Sequence, residues 1–213
     1  YNFRMENTAR RWATSYDRMP RVLSGQLVRE AYPNDLPAGM QCYVFNTRRG
    51  PFTDVRVRKA IEILFNFEWE NRVMAYDAYI RTRSYFANSD LESKGLPTGR
   101  ELQILERFRG RIPDSVFTDG DRPPVYEPFF SGQAVRADGL ETERGALRKA
   151  FALLKDAGYV IRDMKMVNEK TGEPLTFEMV TGDPGFTRRI LPYFETIKRL
   201  GITPTLRIVD SSQ

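Results

Sequence analysis

Two closely spaced carboxylate pairs, Glu68 with Glu70 and Asp119 with Asp121, have the residue types and spacing for general acid and base work. Each pair sits among other charged side chains, so the sequence reads them as solvated surface groups and the chain as a non-enzyme. The rest of the catalytic repertoire is missing. There is no histidine, which removes Ser-His-Asp and Cys-His nucleophiles together with histidine zinc sites. The single cysteine, Cys42, can make neither an internal disulfide nor a thiolate metal site, and its apolar neighbours predict a buried thiol. Neither Gly-x-Gly-x-x-Gly nor Gly-x-x-x-x-Gly-Lys-Ser/Thr occurs, so the usual phosphate cradles are absent. No cofactor and no metal are expected. Arg107-Phe108-Arg109-Gly110-Arg111 is the nearest approach to an aromatic and basic stripe, but acidic residues around it dilute the charge, and no nucleic-acid partner is expected.

If the chain does no bond chemistry, its function must come from what its folded surface holds. With 213 residues, 41% hydrophobic, 29% charged and 12% aromatic, the chain can bury a sizeable core. The net charge of +5 is spread over scattered arginines and lysines, which is the pattern of a solvated surface. No run of 18 apolar residues occurs, and no signal peptide opens the chain. Beginning at Tyr1 and ending at Gln213 just after a strand-like run, it reads as an excised segment of a longer protein.

Residues 1–40 lack a sustained period and contain a short helix near Glu6 to Ser15. Gln41 to Thr47 is rich in strand formers and predicts a strand inside a sheet. Thr53 or Asp54 then caps a helix that buries Val57, Ile61 and Leu64, and a second helix from about Glu68 to Tyr79 repeats Trp69, Val73 and Tyr76 as a core stripe. Residues 81–140 break up into turns and loops around one short helix at Glu101 to Arg109, as expected of a surface insertion. From Thr142 or Glu143 a helix with Leu147, Ala150, Phe151 and Leu154 on one face runs to Gly158. Tyr159 to Val167 and Leu175 to Thr181 predict a β-hairpin closed by residues 168–172. Asp183 and Pro184 start a further helix that Gly201 ends, and Thr205 to Val209 supplies a last strand. Strand, helix and strand over 175–209 form a βαβ-like unit and argue for an α/β sheet.

Several of these segments carry a recognisable pattern. Tyr43-Val44-Phe45-Asn46-Thr47, the Pro51-Phe52 turn and Asp54-Val55-Arg56-Val57-Arg58-Lys59-Ala60 resemble the signature of the family 5 extracellular solute-binding proteins, the oligopeptide and dipeptide binders. The helix end over Ala150 to Tyr159 and the segment Arg199-Leu200-Gly201-Ile202-Thr203 resemble the same family in the same order. Arg81 to Ser89 and the Gly95-Leu96-Pro97 turn look like its Yej-type branch, associated with import of peptides and peptide-like antibiotics. The resemblance implies an α/β fold, one lobe of a type II periplasmic-binding-protein fold with a mixed sheet flanked by helices. It further implies an irregular entry segment over 1–40, and over 41–213 a lobe with a loop-rich insertion at about 81–140.

It implies as well a periplasmic substrate-binding component of an ABC importer, secreted through a signal peptide outside this fragment. That component captures a peptide or peptide-like ligand, delivers it to an inner-membrane permease and is a monomer at full length. The alternative with the same fold is a periplasmic sensor or interaction module that presents its ligand to a receptor. Family members grip the peptide main chain and termini between two lobes, and much of that apparatus, the acidic anchor for the peptide amino group included, lies downstream of Gln213 in the family pattern. This chain is then expected to hold half a site. Its expected ligand-binding residues are Cys42, Val44 and Asn46, which share one face of their strand, and Val180, Thr181, Gly182, Asp183 and Phe186, which surround the helix start at Pro184. The plainer roles are core for Val44 and Val180 and a helix cap for Asp183.

Overall fold

In a computed structural model the described residues are 3–82, 84–118 and 142–210. The helices are α1 (Ala9–Thr14), α2 (Pro20–Leu23), α3 (Val55–Ile63), α4 (Phe67–Ala75), α5 (Gly99–Glu106), α6 (Glu143–Asp156) and α7 (Thr187–Lys198). The strands are β1 (Tyr159–Arg162), β2 (Lys165–Asn168), β3 (Thr176–Thr181) and β4 (Thr203–Ile208). They divide into two compact units, one of residues 1–43 and 79–123, the other of 44–78 and 124–213. Asp119 and Asp121, with most of the loop-rich stretch to 140, lie outside the described residues.

The apolar core belongs to the second unit. Asp54 starts α3 by accepting the Arg56 amide at 2.8 Å, and the helix buries Val57, Ala60 and Ile61, followed by Leu64. Thr142 starts α6 by accepting the Gly145 amide at 2.9 Å. Ala146, Ala150 and Leu154 form its buried face, and α6 packs on α3. In α7 the buried residues are Ile190, Tyr193, Phe194 and Ile197. Tyr193 reaches across to donate its hydroxyl to the Ile61 carbonyl at 2.7 Å, a second donor on a carbonyl in the last turn of α3 that also accepts the Leu64 amide at 3.2 Å. An aromatic chain ties the α3 entry to the sheet and to α7: Phe45 to Phe52 at 4.8 Å, Phe52 to Phe177 at 5.2 Å and Phe177 to Phe194 at 6.3 Å.

β3 and β4 pair in parallel from Thr176 opposite Thr203 to Thr181 opposite Ile208, with α7 as the connection. This is the βαβ unit that the sequence predicts. Of the predicted hairpin, the turn at 168–172 closes a single antiparallel bridge, Val167 to Pro174, with Leu175 donating to the Met166 carbonyl at 2.7 Å, and a second hairpin lies within its first run. Tyr159 to Asn168 folds back on itself as β1 and β2, because Asp163 and Met164, at φ 48° and 61°, make the two-residue turn that suits antiparallel strands. β3, which the sequence reading paired with this run, takes the parallel partner instead. Two further expectations fail. Gln41 to Thr47 is not a strand, since none of the described residues forms a ladder with it, and Thr47 already belongs to a turn. On α4, Val73 and Tyr76 are exposed and Trp69 is half-buried, whereas Glu70 and Ala75 are buried. Phe67 and Met74, one heptad apart, are half-buried, and Glu70 lies between them on the helix.

The first unit is held by polar and ring contacts. Arg29 stacks over Trp12 at 4.9 Å and pairs with Asp17 at 2.9 Å, while the Asn88 amide donates to the carbonyls of Asn34 and Leu36. Among its described residues Ser84 alone is buried. Among the described residues of the whole chain, no helix is long and apolar enough to cross a membrane.

The hairpin is fastened to the end of α7 at Gly201. Its carbonyl accepts the Met166 amide at 2.9 Å, its φ is +74°, and a Cβ there would stand 2.7 Å from the Met164 carbonyl oxygen and 2.8 Å from the Met166 nitrogen. Gly172 has the same φ of +74° but open space around it. Gly172→Ala should therefore cost about 1 kcal/mol, for backbone strain alone. Gly201→Ala should cost more than about 2 kcal/mol, because strain adds to a backbone clash. Urea-unfolding midpoints of the two variants check this ordering.

Candidate functional site

Because β3 and β4 are parallel, both end on one edge of the unit, and ligands of open α/β sheets bind beyond the carboxyl ends of the strands. At that edge the Val209 amide donates to the Thr181 carbonyl at 3.0 Å. Thr181 Oγ1 accepts the Asp183 amide at 3.2 Å, and the Asp183 carboxylate accepts the Gly185 amide at 2.7 Å. These short side-chain bonds to backbone turn the chain out of the strand. Asp183 thereby caps a 3₁₀ turn, Pro184–Phe186, that leads into α7. Pro184 brings no amide to a position where one has no helical partner, and, against the free amides expected there, the amides that follow are already bonded: Gly185 to the Asp183 carboxylate, Phe186 to the Asp183 carbonyl and Thr187 to the Pro184 carbonyl.

Five of the eight expected ligand residues gather here. Val180, Gly182 and Asp183 are exposed, and Thr181 and Phe186 are half-buried. Val44 and Asn46 belong to the same unit but to a different segment, the approach to α3. Alternate residues face opposite ways there: Phe45 is held against Phe52, while Val44 and Asn46 are exposed. Val44, at 86% exposure, is no core residue. Asn46 Oδ1 accepts the Arg48 amide at 3.1 Å and so turns the chain toward Pro51. Cys42 lies in the first unit and is exposed, against the buried thiol expected.

One charged pair was misread in the sequence. Glu70, expected on the surface, is buried in α4 and forms an ion pair with Arg189 of α7; its side chain is 7% exposed and that of Arg189 19%. Arg189 also lies over the Phe186 ring, 5.9 Å from its centroid. A buried carboxylate in α4 thus holds the guanidinium that backs an expected ligand residue. The available signal was the spacing of Phe67 and Met74, which puts Glu70 on the inward face of its helix.

Burial pushes the Glu70 carboxyl above the ordinary carboxylate range, and the charge and hydrogen bond of Arg189 offset only part of that. A carboxyl whose folded pKa is raised contributes stability that is complete below its unfolded pKa and is lost as pH rises through the folded pKa. Relative to the Glu70→Gln variant, the parent protein should therefore lose stability as pH is raised from about 4 toward neutrality. Urea midpoints of both proteins across that range measure the trend, and parallel curves would contradict it.

With the geometry in view, the relatives can be stated. The family model for bacterial extracellular solute-binding proteins, family 5 Middle, matches residues 12–213. The chain is 41% identical, over 100% of its own length, to a protein of Agrobacterium fabrum (strain C58) bearing the name "Probable peptide-binding protein YejA", and 35% identical over 100% of its length to YejA of Escherichia coli (strain K12). It spans 33% of the length of each. Among solved structures it is similar to the oligopeptide-binding protein AppA of Bacillus subtilis, determined with a nonapeptide, at a TM-score of 0.50 and 15% identity over 79% of this chain and 26% of that one. At that identity the likeness speaks for the α/β fold.

Proposed function

The chain belongs to the bacterial extracellular solute-binding proteins of family 5, and from that premise we propose that it is a lobe of an ABC importer's substrate-binding component, one that captures peptides or peptide-like solutes. In this reading the complete protein works in the periplasm as a monomer and hands its ligand to an inner-membrane permease. Residues 41–213 form the lobe, and the stretch at about 81–140 is an insertion into it. The observation that carries the reading is the 41% identity, along the whole chain, to a relative named for peptide binding.

The strand-end turn is chemically suited to the role. An extended peptide offers a carbonyl and an amide at each residue, and recognition through its main chain needs backbone groups at a strand or helix end more than it needs matched side chains. Exposed Gly182 offers its amide and carbonyl at the carboxyl edge of β3, where the Thr181 carbonyl and both backbone groups of Asp183 are already bonded, and Phe186 offers an apolar face beside it. Val44 and Asn46 complete the proposed half-site from the approach to α3. Capture then depends on closure of a second lobe over the ligand rather than on any bond-making step.

In the full-length protein, a bound peptide at 100 times its Kd should raise stability by about 2.7 kcal/mol. Thermal-shift measurements against pools of short peptides test this, and a flat response to every pool would remove the peptide reading. Asp183→Asn keeps a capping side chain while deleting the charge, so melting should stay within about 2 °C of the parent. Phe186→Ala should weaken peptide binding by about tenfold, roughly 1.4 kcal/mol. Thermal melts of the parent and Asp183→Asn check the first, and calorimetric titration of the same peptide into the parent and Phe186→Ala measures the second.

A further inference from the structure

Arg189 joins a buried carboxylate to the strand-end turn. Its Nε donates to Glu70 Oε1, and its guanidinium lies over the Phe186 ring, 5.9 Å from the centroid. The first turn of α7 carries Arg188 and Arg189 and no acidic residue, although a helix start favours negative charge over positive. Glu70, from α4, brings a negative charge beside that turn. The arrangement is costly: the Glu70 side chain is 7% exposed, and among the described residues its buried Oε2 has no hydrogen-bond partner. Apolar side chains of similar volume often serve stability as well as a buried ion pair or better, so stability is a poor reason to keep it. Packing does not replace the bond either. A cavity of about 220 Å³, lined by Glu70, Arg189, Phe65, Trp69 and Tyr193 among others, leaves the guanidinium room to swing away from the ring.

We propose that Glu70 is a positioning residue for ligand capture: its bond to Arg189 holds the guanidinium against one face of Phe186 and so fixes the ring whose other face the ligand meets. This rests on the peptide reading of the strand-end turn. Phe186 is half-buried, so one side of its ring is available to a ligand while the cation covers the other. A guanidinium over an aromatic face is an attractive contact, and a stronger one away from water. A ring ordered in advance lowers the cost of ordering it when the ligand binds. Glu70 touches no ligand in this scheme, and its effect on affinity passes through Arg189 to Phe186.

The test is calorimetric titration of the full-length protein, with the Ala-Xaa-Ala tripeptide that gives the largest thermal shift as the probe. Glu70→Met, which removes the acceptor along with the charge, should weaken binding by about fivefold in the parent and by less than about twofold in Phe186→Ala, where the ring is gone. Glu70→Met/Arg189→Met removes both charges, so it should melt no lower than about 2 °C below the parent and still bind about fivefold more weakly. An ion pair that serves stability alone would give neither the coupling to Phe186 nor kept stability with lost affinity. The proposal is overturned if Glu70→Met binds like the parent, if it weakens binding equally in both backgrounds, or if Glu70→Met/Arg189→Met keeps the parent affinity. If no tripeptide binds the parent, or if Phe186→Ala binds as the parent does, the peptide reading or its site fails first and the proposal falls with it.

Discussion

Burial of one face of α7 is the constraint on which the second unit depends. Ile190, Tyr193, Phe194 and Ile197 recur at helical spacing and are all removed from water, and β3, α3 and α4 each meet α7 along it, while α6 packs on α3. Phe194 meets Phe177 of β3, Tyr193 bonds to the last turn of α3, and Arg189, on the rim of the same face, takes the carboxylate of α4. The apolar transfer term is non-directional. The Tyr193 and Arg189 bonds supply direction, fixing how far along α7 the ends of α3 and α4 can sit.

The Glu70–Arg189 pair illustrates why a buried charge is weak evidence for stability and better evidence for placement. Two ions leave water at a cost that their mutual attraction only partly returns, and here one carboxylate oxygen stays without a donor. In exchange, the pair sets Arg189 between α4 and the Phe186 ring. The start of α7 is therefore positioned from two sides, by the cap at Asp183 and by the guanidinium one turn further on. A strand-end site for a variable main-chain ligand needs that rigidity more than it needs a particular side chain.

The two units contrast in how they are held. In the second, apolar faces of α3, α6 and α7 close on one another, and Gly201 lets the hairpin backbone approach the helix end closely enough for a hydrogen bond. In the first, large apolar side chains such as Leu23, Val28, Ile80 and Tyr85 stay exposed, and order comes from Arg29 over Trp12 and from Asn88 bonding to residues 34 and 36. Local polar contacts can fix a path without a core, at a smaller stabilisation per residue than burial gives.

The sequence by itself determined what depends on near neighbours. The caps at Asp54 and Thr142, the buried stripes of α3 and α7, the helix stop at Gly201 and the turn at Asp183 all follow from residues two to four apart, and the structure has each of them; on α6 only Ala150 and Leu154 of the expected stripe are buried, while Leu147 is half-buried and Phe151 exposed. The order strand, helix, strand was legible for the same reason, as were the family motifs. Tertiary structure decided what depends on partners. Whether Gln41 to Thr47 becomes a strand rests on a neighbour to pair with, and β3 pairs with β4 while β2 takes β1 across the turn at Asp163 and Met164. Glu70 reads as a surface carboxylate until Arg189, more than a hundred residues away in sequence, is brought beside it. A chain's own periodicity specifies which face of an element turns inward; only packing specifies what that face meets.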